Sequence, residues 1–248
     1  MTTYVLVHGA WHGGWCWKKL VPFLKATGAD VFTPTLTGMG ERSHLNRHLN
    51  PSDITLDMHI EDIIQVLEYE GLKDVVLVGH AYAGMVITGV AEVCPERISH
   101  MVYVNGVTPS DGESMVDQLL PVRGPEFTAW VQDQIDNGDG FLPAPSSADE
   151  IQRRWGISNP NDQVWTLANV CPQPATAMAS PVHMGNPEAV HIPKSFVGGG
   201  ESGFDSVAER AMNSGWDVYP VASGHDTMIT HSDELAQILI SISKQLPK

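Results

Sequence analysis

Basic residues are scarce in this chain: 14 Lys and Arg stand against 29 Asp and Glu, a formal net charge of −15 over 248 residues. That deficit sets aside nucleic acid and anionic membranes as partners, because such a chain repels both. Cysteine is scarcer still. Cys16, Cys94 and Cys171 cannot all pair, and none lies in a metal-binding spacing with another Cys or a His. The expectation is three reduced, partly buried thiols. Long apolar runs are missing too. Tyr4 to Val7 is too short for a signal peptide or a membrane span, and no basic stretch precedes it. The mature protein is therefore expected to be the whole chain, in the cytoplasm. No repeat, low-complexity stretch or linker marks a second independent domain. At 42% hydrophobic and 17% charged residues the chain reads as globular, and its length buries a core without disulfides. A homodimer is left open.

Three β-branched runs are present. Tyr4-Val5-Leu6-Val7 ends at His8-Gly9, Asp74 to Val78 ends at Gly79-His80, and Met101 to Val104 ends at Asn105-Gly106. Short continuous apolar runs of this kind predict strands buried on both faces, hence a parallel sheet. Helical patterns fall between them at Trp17 to Thr27, Leu56 to Glu70 and Gly84 to Val93, and Asp30 to Thr33 predicts a further strand. Lys194 to Gly198 and Trp216 to Val221 predict the last two strands, and Asp233 to Leu246 a closing helix. The alternation implies an α/β class with a doubly wound, mostly parallel sheet. Residues 1–107 and 193–248 read as the core. Residues 108–192 carry many prolines and no clear strand, and read as an inserted helical cap with short helices at Ser114–Leu120, Pro125–Gln134 and Ala148–Trp155.

The informative stretch is Val75-Val76-Leu77-Val78-Gly79-His80-Ala81-Tyr82-Ala83-Gly84. It reads strand, tight turn, helix, with small residues at 79, 83 and 84 where a sharp bend needs room. That is the pattern of a nucleophile elbow, Gly-x-Ser-x-Ala/Gly, in which serine stands at the apex. Here the apex is Ala81. Alanine keeps the turn but has no hydroxyl to attack a carbonyl. Two accounts of it stay open: an engineered serine-to-alanine variant, or a natural pseudoenzyme that binds a ligand.

Directly after the first strand, His8-Gly9-Ala10-Trp11-His12-Gly13-Gly14 forms a glycine-rich loop. Such a loop turns backbone N–H groups inward, so the N–H of Ala10 and that of Tyr82 are candidates for a two-donor oxyanion hole. A dinucleotide phosphate loop is the competing reading, but the spacing is not G-x-G-x-x-G and no acidic residue follows for the ribose. Ser223-Gly224-His225-Asp226 lies after the last strand, and of eleven histidines only His225 has the chain order nucleophile, acid, histidine. His80 reads as a packed turn residue, while His8 and His12 flank the oxyanion loop as candidates to line the site. His44 and His48, four apart in a loop-like stretch, read as solvated in preference to metal-binding. Two acids follow the penultimate strand. Glu201 is preferred as the triad member, and Asp205 reads as a helix N-cap.

With these residues in hand, the chain resembles bacterial α/β-hydrolase esterases related to plant methyl-ester esterases and hydroxynitrile lyases. The likeness runs end to end and is densest in VLVHGAWHGGWCW, LTGMGERSHL, VVLVGHAYAGMVITGVA, PERISHMVYVNGVTPSDGES and SGHDTM. The resemblance implies a nucleophile position at 81, the family aspartate position at Glu201, the base at His225, and oxyanion donors at Ala10 and Tyr82. Three departures stand out: Ala81 for serine, Glu201 for aspartate, and Asn105 where many bacterial members carry aspartate. The lyases of the group place lysine after the histidine and a hydroxyl in the oxyanion loop. Here those positions are Asp226 and Gly9, which disfavours cyanohydrin cleavage. The serine form is expected to hydrolyse a small, apolar or aromatic carboxylic ester through an acyl-enzyme, with no metal or organic cofactor. Cleavage of a lactone, amide or carbon–carbon bond is the alternative. Trp11 and Trp130 are candidate substrate contacts, and Trp155, Trp165, Met178 and Met184 suggest an apolar pocket although each singly reads as cap core.

Overall fold

The computed structural model describes residues 1–246, apart from the side chains of Val122 and Glu201. Its strands are β1 (Thr3–Val7), β2 (Asp30–Phe32), β3 (Val75–His80), β4 (Ile98–Val104), β5 (Phe141–Leu142), β6 (Gln173–Pro174), β7 (Lys194–Val197) and β8 (Asp217–Tyr219). Six of them form one sheet in the order β2-β1-β3-β4-β7-β8, and every pairing in it is parallel. The expected doubly wound α/β sheet is therefore observed. All six residues of β3 are buried, because helices cover both faces of the sheet.

In chain order the helices are α1 (Val21–Lys25), α2 (Leu56–Tyr69), α3 (Ala83–Val93), α4 (Met115–Arg123), α5 (Pro125–Asp136), α6 (Ala148–Trp155), α7 (Pro160–Leu167), α8 (Ala175–Ala179), α9 (Pro187–Val190), α10 (Asp205–Asn213), α11 (Thr227–Thr230) and α12 (Ser232–Gln245). Thr55 caps α2 by accepting from the Met58 N–H at 3.3 Å, and Leu56, Ile60, Ile63 and Leu67 go inward. No helix among the described residues is long and apolar enough to cross a membrane. The three cysteines are free and buried.

Several expectations need correction. The pattern from Trp17 to Thr27 is not one helix: a 3₁₀ turn over Gly14–Trp17 precedes the five-residue α1. Pro22 at the start of α1 explains the break, since proline lacks the N–H that a continuing helix needs. Between residues 108 and 192 the chain is not free of strands, because β5 and β6 form a short antiparallel ribbon. The prolines there begin helices more than they break them. Pro125, Pro160 and Pro187 each open one, where the fixed φ is already helical and the missing N–H has no partner to lose. His44 lies in a 3₁₀ helix over Gly40–Arg47, which His48 ends, and both side chains are exposed.

The strand order reverses between β1 and β3, so their carboxyl ends open a crevice at the switch point. Gly84 makes the packing beside it: a Cβ there would stand 2.0 Å from the Val107 carbonyl oxygen. Gly84→Ala is therefore expected to lower stability by roughly 1–3 kcal/mol despite alanine's better helix propensity. The check is the urea midpoint, which falls if the backbone contact governs and rises if propensity does.

Candidate active site

At the end of β3 the chain turns through Ala81, whose φ of 51° lies in the left-handed region that a Cβ disfavours. Such a backbone costs roughly 1–2 kcal/mol, so neighbouring contacts must hold it. They do. The Ala81 N–H donates to Val104 O at 3.2 Å, and the Ala81 carbonyl accepts from Gly84 at 3.0 Å and Val107 at 3.2 Å. Gly9 packs onto the turn so closely that a Cβ would lie 2.9 Å from the Ala81 Cβ and 2.7 Å from His80 Nδ1.

A cavity of about 230 Å³ opens over this point, and its wall includes Ala10, Trp11, Ala81, Tyr82, Trp130 and His225. The N–H groups of Ala10 and Tyr82 have no protein acceptor among the described residues. Tyr82 is held from behind: its hydroxyl donates to His59 Nδ1 at 2.9 Å, while His59 Nε2 donates to Thr37 O at 3.0 Å. Trp11 has a φ of 64° and donates its indole N–H to Leu142 O at 3.3 Å. Trp130 packs on Phe127, with centroids 5.9 Å apart. Trp155 and Met178 also line this cavity. Trp165 and Met184 do not: Trp165 stacks edge-on against Trp15, and Met184 borders a separate cavity at Tyr103 and Trp216.

His225 is stacked on Phe204 at 5.0 Å and tilted against His80 at 4.7 Å. Burial, with smaller contributions from His12, Arg123 and Arg154, pulls the imidazole down to about 3. It is neutral, the form a general base needs, far below neutral pH. Among the described residues its Nδ1 has no hydrogen-bond partner. The Glu201 side chain lies outside the described residues. Asp205 is not the N-cap of α10, a place taken by Phe204. It begins the helix, and its carboxylate accepts from the Gly200 N–H at 2.8 Å.

Two residues that the sequence left without a role organise the loop carrying His225. Asn105 (φ 42°) donates from Nδ2 to His225 O at 2.9 Å and Thr227 Oγ1 at 3.0 Å, and accepts from Gly199 N at 3.2 Å. An amide does both, whereas an ionised aspartate only accepts and would face the His225 carbonyl without a proton to offer. Asp226 is fully buried, with Oδ2 at 3.0 Å from His12 Nε2 and Oδ1 at 3.6 Å from His80 Nε2. His12 Nδ1 donates to Ala10 O at 2.7 Å, so a single proton lies between His12 Nε2 and Asp226. This contact ties the histidine loop to the oxyanion loop, through residues 214 positions apart. No local pattern signals it. His80, His225 and Asp226 each offer a donor atom within 4.8 Å of the others, the one such group among the described residues.

Burial leaves five histidines below their usual value: His8 at about 3, His100 at about 4, His225 at about 3, and His59 and His80 lowered. Between about pH 6.5 and the folded values, the unfolded chain binds protons that the folded chain does not. Stability from these groups is therefore complete above about pH 6.5 and is lost as pH falls towards 3–4. Urea midpoints at pH 7.5 and pH 5 check this, and an unchanged midpoint would contradict the burial of neutral imidazoles.

An α/β sheet with a strained turn at its switch point, a histidine over it and free N–H groups beside it defines a class of hydrolytic fold. The chain belongs to the alpha/beta hydrolase family, whose profile matches residues 4–238. A carbendazim-hydrolysing esterase of Nocardioides sp. (strain SG-4G) is 32% identical over 252 residues, 98% of this chain and 100% of that one. Methylesterase 18 of Arabidopsis thaliana is 28% identical over 268 residues, 98% and 97% of the two chains. Tomato methylketone synthase I complexed with 2-tridecanone has the same fold, with a TM-score of 0.78 at 20% identity over 99% of each chain. A variant of that synthase was solved with β-ketoheptanoate, at a TM-score of 0.79 and 21% identity over 98% and 96% of the chains. The relatives define a hydrolase of esterase type.

Proposed function

We propose that this scaffold is that of a serine carboxylesterase for small, apolar or aromatic esters, and that the chain with Ala81 is its form without a nucleophile. The observation that carries the reading is the convergence, on one cavity wall, of position 81, neutral His225 and two N–H groups without a protein acceptor. In the serine form, His225 takes the hydroxyl proton as oxygen attacks the ester carbonyl. The Ala10 and Tyr82 N–H groups hold the oxyanion, the alcohol leaves with the proton, and water cleaves the acyl-enzyme. Glu201 is the proposed partner of His225, residues 108–192 the cap over a core of 1–107 and 193–248, and Trp11 and Trp130 the apolar contacts. The carbendazim-hydrolysing esterase and the methylesterase among the relatives support an ester carbonyl as the reacting group. Hydrolysis of p-nitrophenyl esters by the alanine and serine forms, side by side, tests it.

Ala81 favours a second reading, cleavage of a carbon–carbon bond. A β-keto acid loses CO2 without any nucleophile: the bond to the carboxylate breaks, its electron pair forms an enolate, and a proton returns to carbon to give a methyl ketone. The same two N–H groups would hold the enolate oxygen. The β-keto acid and methyl ketone bound by the tomato synthase support this chemistry. Methyl ketone release from β-ketoheptanoate by the Ala81 chain, followed by gas chromatography, decides it.

A further inference from the structure

The wall opposite the elbow carries charge that neither reading uses. Three of the seven arginines in this acidic chain, Arg123, Arg153 and Arg154, border two adjoining cavities. The first is the cavity over Ala81. The second, of about 340 Å³, shares Leu119, Arg123, Arg154, Ser202 and Phe204 with it. Arg154 is held in place: its guanidinium carbon lies 4.5 Å above the Trp11 ring centroid and 5.7 Å from that of Trp155. One of its N–H groups donates to Glu150 at 3.0 Å, its one side-chain hydrogen bond among the described residues. A guanidinium has five N–H donors, and the other four have no protein acceptor among the described residues. Arg123 and Arg153 form no ion pair among the described residues.

The geometry points to a ligand that carries a carboxylate, held between Arg154 and Arg123 at the junction of the two cavities, with its apolar part against the Trp and Met wall over Ala81. A planar guanidinium fixed by stacking presents paired donors that match a carboxylate. The chain's net charge of −15 disfavours anions over the surface as a whole, so the attraction has to come from the local group of Arg123, Arg153 and Arg154. Both guanidinium charges also reach His225, where they help hold the imidazole neutral. As a statement about substrate, a half-ester or keto acid, the proposal rests on the reading above. As a statement about binding it does not.

The test is isothermal titration of the Ala81 chain with 4-phenylbutyrate and with 4-phenylbutanamide, which differ only in the anionic end. The acid is expected to bind about tenfold tighter than the amide at low salt, with the preference shrinking at high salt. Arg154→Gln and Arg123→Gln should each remove most of that preference while leaving amide affinity unchanged, and Arg154→Lys should keep part of it. Equal affinity for acid and amide, no binding of either, or equal loss of both in the variants would overturn the proposal. The last outcome would mark the arginines as packing for Trp11 and Trp155. Because no turnover is involved, failure here is separate from failure of the serine form to hydrolyse esters.

Discussion

Ala81→Ser is expected to raise the hydrolysis rate of short p-nitrophenyl esters by roughly a thousandfold or more over the alanine form, through kcat. The reason is specific to the turn. The backbone at 81 is already left-handed and pinned by three hydrogen bonds, so the new Oγ needs no rearrangement to stand in the cavity. The residual rate of the alanine form is what the two N–H groups and binding supply alone. His225→Ala in the serine background should return activity to near that floor. The acid limb of the pH–rate profile should lie well below the usual imidazole value, because burial keeps His225 neutral down to about pH 3. A serine form at background on a broad ester panel would sink the carboxylesterase reading, and the ketone-forming assay then becomes the decisive one.

Asp226→Ala is expected to destabilise the protein by about 3–5 kcal/mol, the usual loss when one member of a fully buried pair is removed. Its partner His12 is 1% exposed, stacked on Trp15 and tilted against Trp155, so little room is left for water to replace the lost carboxylate. The Asp226 N–H donates to Trp155 O at 3.2 Å and its carbonyl starts α11, and alanine keeps both contacts, so the loss reports the side-chain pair itself. The double variant Asp226→Leu with His12→Phe should lose markedly less than the two single changes added together, since apolar side chains of similar size leave no unpaired polar atom. Denaturant midpoints of the four proteins close that cycle. Additive losses would show that the two side chains act independently.

The sequence by itself determined the sheet and the turn. Strand positions were legible because continuous β-branched runs have one stable environment, the interior of a parallel sheet. The elbow was legible because a strand that turns sharply into a helix needs small residues: a Cβ at 79 would lie 2.7 Å from the carbonyl oxygen of Ala83, four residues on, whereas the crowding at 84 comes from Val107. The placing of His225 near the elbow was legible because chain order constrains which loop reaches the switch point, and its side chain lines the cavity over Ala81. The helix that opens at Pro125 was legible as well, whereas the β5–β6 ribbon was not, since two residues a strand are too few for any alternating pattern.

What the tertiary structure decided are contacts between residues far apart in the chain. Asp226 reads from sequence as one acid in a loop, and only the approach of the β1 loop puts it against His12. Asn105 gains its role from three loops meeting at the ends of β4 and β7. The arginines at 123 and 154 lie on different helices, and their shared cavity exists only once α4 and α6 pack over the sheet. Such contacts leave no periodic signature, because burial and charge pairing across loops depend on where the chain returns and not on the residues beside them.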